Sequence, residues 1–153
     1  MRWIAFSAGV VLLLGTGCEA GEEAPPRTEA DEVAAAAEEY DPAVYDTVDW
    51  PSDSAAIARG RDIYTWACAE CHGEEGRGEG GRVIDGDTLR PPSFRQQDWP
   101  YADDPEQLHR KIYVGTELGM PHWGLRRMQP RDIVAVERFI RLELIQEEES
   151  PQG

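Results

Sequence analysis

The chain is short of positive charge, thiols and long apolar segments. Of its 153 residues, 15 are Lys or Arg and 30 are Asp or Glu, for a formal charge of −15, and Lys111 is the one lysine. That balance excludes a nucleic-acid surface, because phosphates require a basic face. It permits docking on a basic protein patch at a salt-dependent rate. Cysteine occurs three times, as Cys18, Cys68 and Cys71, and three thiols in an exported protein leave one unexplained. The longest apolar run, the 12 residues from Trp3 to Leu14, is too short to span a bilayer.

What is present begins with a secretion signal: Arg2, the apolar run, then Gly15, Thr16 and Gly17 ahead of Cys18. The segment "LLLGTGC" resembles the processing site of bacterial lipoproteins. That resemblance implies that residues 1–17 are removed and that Cys18 carries a lipid. The protein would then sit on the periplasmic side of a bacterial membrane. Lipidation also accounts for the odd thiol and leaves the pair Cys68 and Cys71. The mature chain would carry 14 basic and 30 acidic residues, a charge of −16, of which residues 19–51 hold −10. The stretch "EAPPRTEADEVAAAAEEYDP" has no run of large apolar residues to offset the entropy of ordering. Residues 18–51 therefore read as an acidic Ala/Glu/Pro-rich tether, with a helical turn or two around "EVAAAAEE". A coil of that length reaches about 30 Å.

The folded domain is expected over residues 52–146, followed by an acidic tail at 147–153, and its signals are helical. One helix should run from near Ser54 towards Cys68, capped by Ser52, Asp53 or Ser54. Another should open at Pro105 after Asp104 and stop at Gly115. A third, from Pro130, should bury Ile133, Val136, Phe139, Ile140 and Leu144. Residues 73–92 have too many glycines for a helix and no strand alternation, so they read as loop. Three or four short helices joined by long loops supply too little apolar surface for a core of this size. Something else must fill the middle.

The stretch "CAECHG" at 68–73 offers a candidate. In a helical turn, positions three and four apart share a face, so Cys68, Cys71 and His72 project to one side. The thiols can reach the two vinyl groups of one haem edge while the imidazole meets the iron, and C-x-x-C-H is read as c-type haem attachment on that ground. Three alternatives compete. A thioredoxin-like redox pair needs a strand-turn-helix context, whereas this pair ends a helix. A zinc site needs a fourth ligand; no second cysteine pair exists to supply it, and His109 or His122 could complete one only by coincidence. A structural disulfide would leave both His72 and the missing core unexplained.

With these residues in view, the chain from 52 to about 146 resembles the class I monohaem cytochrome c family, through "ARGRDIY", "CAECHG", "GTELGMPHW" and "DIVAVERFIRLEL". The resemblance implies a small all-α fold around one covalent haem c. It implies that the first and last helices cross at Gly60, with Gly60 and Tyr64 against Val136 and Phe139. In that family the distal methionine lies in a loop before the last helix and is followed by proline, which selects Met120 of "GMP" over Met128 and makes His72 and Met120 the iron ligands. The family also uses a proline carbonyl to orient the proximal imidazole, implying Pro92 or its neighbour Pro91. Trp99, Arg95, Tyr101, Trp123 and Arg126 are candidate propionate donors, and His109 and His122 are expected to be packing or surface residues.

With both axial positions filled, the expected function is one-electron transfer, with no enzymatic bond-making. The chain would act as a free carrier or as a subunit of a membrane respiratory complex. A haem enzyme or gas sensor with an open distal position is the alternative.

Overall fold

The computed structural model describes residues 27–84 and 86–145. Among them no helix is long and apolar enough to cross a membrane. The two helices that dominate the fold start where their caps dictate. In α3, Asp53–Ala67, Ser52 is the cap, and its hydroxyl accepts the Ala55 amide at 3.2 Å. In α6, Pro130–Phe139, a proline occupies the first turn, where a missing amide costs nothing. The chain continues as a π-helical end, Ile140–Leu144. Between these helices come the single turn α4, Ala69–His72, and α5, Pro105–Val114. Helix α5 is capped by Asp104, whose carboxylate accepts the Gln107 amide at 2.9 Å, and is ended by Gly115 at φ 72.

Helices α3 and α6 cross where a side chain is missing. A Cβ on Gly60 would stand 2.0 Å from the Ala135 carbonyl oxygen and 2.9 Å from Phe139 Cβ. Tyr64, one turn on, packs its ring 5.3 Å from that of Phe139. The expected crossing at Gly60 therefore holds, with the backbone of Ala135 rather than Val136 as the nearest neighbour. Ile63, Tyr64, Ile133, Val136, Phe139, Ile140 and Leu144 form the centre of the core. Bidentate Arg59–Asp132 and single Arg138–Asp53 pairs tie the two helices at the rim, where exposed pairs add little.

One charge lies in the interior. Glu137 is buried, accepts from Arg141 at 2.7 Å and lies 3.5 Å from His109 Nε2, and the Tyr45 ring covers His109 at 4.8 Å. Burial alone would raise the Glu137 pKa, but the neighbouring His109 and the Arg141 hydrogen bond outweigh it and hold the group below its ordinary 4.5. A depressed carboxylate stabilises the fold above its unfolded pKa, and that stability is lost as pH falls through the lower folded value. The denaturation midpoint should therefore drop as pH falls below about 4.5, the group's ordinary value. In Glu137→Gln the protein should be weaker by about 1–2 kcal/mol at neutral pH and show a shallower acid limb in urea titrations. An unchanged acid limb would rule Glu137 out as a contributor.

Two expectations are corrected. Within the glycine-rich loop, Arg82–Ile84 (β1) and Asp87–Leu89 (β2) pair as a short antiparallel hairpin. And residues 29–46 are not bare tether, because α1, Glu29–Glu39, and α2, Ala43–Asp46, pack on the domain. A capping box between Thr28 and Asp31 starts α1. The contact is made by small and aromatic side chains, not an aliphatic run: Ala36 is fully buried, Tyr45 is buried, and the Tyr40 hydroxyl donates to the Glu106 carbonyl at 3.3 Å. The signal segment, Cys18 and the tail 147–153 lie outside the described residues.

Candidate functional site

The motif is placed by the end of α3. The Cys68 amide still donates to Tyr64 O at 2.9 Å, and the next turn closes with Cys71 and His72 amides on the Cys68 carbonyl, at 3.1 and 2.9 Å. Gly73 follows at φ 81, a conformation that suits a residue without Cβ. The Tyr64 hydroxyl donates to Gly73 O at 2.7 Å and so ties the motif back to the helix crossing.

Neither thiol of the pair is in a disulfide. Burial, then the neighbouring Cys71, pushes Cys68 up to about 12. Burial, then Glu70, also raises Cys71. Both thiols are therefore neutral at physiological pH, unlike the lowered pair of a redox motif. Burial alone pulls His72 down to about 4, so its imidazole is neutral and ligand-ready. Its Nδ1 is buried with no partner in the protein, and its ring stacks on Phe94 at 4.6 Å. Among the described residues no cluster of three His, Cys, Asp or Glu is arranged to hold a metal ion. Two unpaired neutral thiols beside a neutral imidazole fit a thioether-held macrocycle with an iron to ligate.

The distal candidate lies in the loop between α5 and α6. Met120 is half-buried in the loop 115–124, where Thr116 N donates to Met120 O at 3.1 Å and Met120 N to Thr116 Oγ1 at 3.2 Å. One contact joins the two motifs: Trp66, two residues before Cys68, meets Trp123, three after Met120, edge to face with centroids 5.8 Å apart. Trp66 is 66% exposed and Leu118, two residues before Met120, is 76% exposed. Large apolar side chains thus stand uncovered beside each half of the site. Met128 is also half-buried against the core.

Pro92 is exposed, and neither its carbonyl nor that of Pro91 is hydrogen-bonded to His72 Nδ1. The Pro91 carbonyl packs against Gly78, where a Cβ would meet it at 2.2 Å. Of the propionate candidates, Trp99 is buried between Phe94 and Tyr101, at 5.0 and 5.4 Å, and Arg95 Nε donates to the Glu75 carbonyl at 3.1 Å. His109 and His122 are both buried, as packing residues would be. Phe94 escaped sequence reading because a single apolar residue in an aperiodic loop carries no local signal. The tertiary contact alone marks it.

Residues 55–140 match the family model described as cytochrome C oxidase, cbb3-type, subunit III. A cbb3-type cytochrome c oxidase subunit CcoP of Azospirillum sp. (strain B510) is 31% identical over 75 residues, covering 49% of this chain and 25% of that protein. The corresponding subunit FixP of Azorhizobium caulinodans is 30% identical over 90 residues, covering 59% and 28%. The CcoP subunit of Azospirillum brasilense is 32% identical over 75 residues, covering 49% and 24%. The chain thus spans about a quarter of the length of these curated relatives. No solved structure matches it.

Proposed function

This chain belongs to the cytochrome c oxidase, cbb3-type, subunit III family and has the all-α fold of a class I cytochrome c domain; on that premise we propose that it passes single electrons as a membrane-held, extracytoplasmic c-type cytochrome. In this reading Cys68 and Cys71 hold one haem through thioethers, His72 and Met120 are the axial ligands, and a lipid on Cys18 anchors the chain. Its partners are small redox proteins or the other subunits of a membrane respiratory complex. The relatives named as cbb3-type oxidase subunits favour the second.

The observation that carries the reading is the meeting of the two motifs through Trp66 and Trp123. It supports the reading by bringing the end of the helix before the CxxCH motif against the loop that contains Met120. Bound haem supplies a one-electron ferrous–ferric couple. The protein's part is to hold it: burial keeps His72 uncharged, Phe94 fixes the plane of its ring, and paired Thr116–Met120 hydrogen bonds stiffen the distal loop. A thioether favours the ferrous state relative to a second histidine and raises the potential.

Met120→Ala should abolish the weak sulfur-to-iron absorption of the ferric protein and lower the potential by on the order of 0.1 V. A native ferrous protein that takes up carbon monoxide readily would reject the carrier reading in favour of an open-site enzyme or sensor. Cys18→Ser should move the protein from the membrane to the soluble fraction. Retention on membranes after that change would replace the lipid with an uncleaved helix or a partner subunit as the anchor.

A further inference from the structure

Helix α1 reaches the distal loop by two routes. At its first residue, Glu29 Oε2 lies 3.2 Å from His122 Nε2, while His122 Nδ1 donates to Val114 O at 2.6 Å, so that the ring bridges the two oxygens when both of its nitrogens carry protons. His122 is buried, although its Glu29 partner is 64% exposed. Beyond its last residue, the Tyr40 ring meets Tyr113 edge to face at 5.5 Å. Tyr113 in turn accepts the Gly124 amide on its carbonyl at 3.0 Å. Its ring lies so close to Gly124 that a Cβ there would be 2.3 Å away. Between the two ends, Ala36 is fully buried. Both routes end on residues that follow Met120 in its loop, at positions 122 and 124. The other flank is closed within the loop, by the Thr116–Met120 bonds and by Gly115, where a Cβ would meet Met120 O at 2.4 Å.

We propose that α1 is a clasp for the Met120 loop: Ala36 and Tyr40 seat the helix, Glu29 and Tyr40 pin His122 and Tyr113, and the N-terminal arm thereby sets how firmly Met120 is presented. The inference rests on the reading of Met120 as an axial ligand only for its effect at the iron; the mechanical link stands on the contacts themselves. Glu29, Ala36 and Tyr40 are positioning residues. Their relative weights follow from burial. The half-wet Glu29–His122 pair contributes modestly, whereas an acid placed at Ala36 must leave the interface or be buried unpaired, so Ala36→Asp undocks the helix. The arm that connects the domain to its anchor would then be mechanically continuous with the distal loop. A partner that binds or pulls α1 would loosen Met120 without touching it.

The test uses the full-length, haem-loaded ferric protein at one fixed pH. Amide hydrogen exchange reports the loop, and the rate of cyanide binding to the iron reports how readily the distal ligand gives way. In Ala36→Asp, exchange at the Met120 and Gly124 amides should accelerate about tenfold, as expected for local opening without global unfolding. Cyanide should bind about tenfold faster, and amides of α3 and α6 should keep their protection. Glu29→Gln should give a two- to threefold effect in the same direction, Glu29→Asp should restore most of it, and exposed Glu38→Ala should change nothing. If α1 amides exchange freely in Ala36→Asp while Met120 and Gly124 exchange as in the native protein, the clasp is refuted. If loop exchange accelerates but Met120→Ala leaves the ferric spectrum and the cyanide rate at native values, the clasp holds and the ligand assignment of Met120 fails. Should Ala36→Asp unfold globally, the same comparison is made with Glu29→Gln combined with Tyr40→Leu, where an unchanged loop again refutes the proposal.

Discussion

Replacing His72 with alanine should give a chain that retains no six-coordinate haem spectrum and melts at a much lower temperature. Two losses combine. On the proposed ligation the iron would lose its nitrogen ligand, and with it the stabilisation that any group bound only to the folded state provides. The imidazole also leaves a gap beneath Phe94, against which it stacks at 4.6 Å. Truncating a buried ring of this size costs on the order of 3 kcal/mol before ligation is counted, against a total of about 5–15 kcal/mol for a domain. In a domain of about a hundred residues each kilocalorie shifts the melting point by about 4–8 °C, so a fall of about 12–24 °C is expected from packing alone. Visible spectra and thermal melts of the purified variant check both parts. A His72→Ala protein with the native spectrum and native melting temperature would remove His72 from the site.

Gly60→Ala should be nearly as damaging for a different reason. Judged by helix propensity alone, alanine in the middle of α3 ought to stabilise by about 1 kcal/mol. The crossing reverses the sign. The new methyl would lie 2.0 Å from the carbonyl oxygen of Ala135 and 2.5 Å from its carbon, and a backbone cannot swing aside as a flexible side chain can. Helices α3 and α6 must separate, opening the packing among Tyr64, Val136 and Phe139. Overpacking of this kind costs about 1–3 kcal/mol and sometimes more; with two backbone atoms in the way the upper end is expected, so the net loss should be about 2 kcal/mol or more. Because α3 carries Cys68 at its end, the displacement should also perturb the visible spectrum. Urea denaturation that finds Gly60→Ala as stable as the native chain, or more so, would show that the helices do not cross there.

Much of this was legible locally. Ser52, Asp104 and Pro130 announced the starts of α3, α5 and α6, because capping and proline placement act within one turn. Spacing alone brought Cys68, Cys71 and His72 to one turn, and the π-helical end after Phe139 still buries Ile140 and Leu144 as the apolar pattern required. The N-terminal arm was misjudged for a physical reason. Composition rules weigh large aliphatic residues, whereas α1 and α2 dock through a buried alanine and two tyrosines. An alanine's contribution depends on how closely the partner surface approaches, which no window of sequence records. The choice between Pro91 and Pro92 is likewise not a local matter, since the direction of a loop carbonyl is set by the backbone packed against it, as Pro91 O is by Gly78.

What the sequence determined by itself is therefore the gathering of Cys68, Cys71 and His72 in one turn and the positions of the main helices, because both arise from residues within a turn of one another. What only the tertiary structure decided is how separate pieces meet. It set Phe94 on His72, Trp66 on Trp123, and Glu29 beside His122, 93 positions apart. Those meetings depend on the chain closing on itself, with α3 and α6 brought together at Gly60, and closure over such separations is a property of the whole packed domain rather than of any segment.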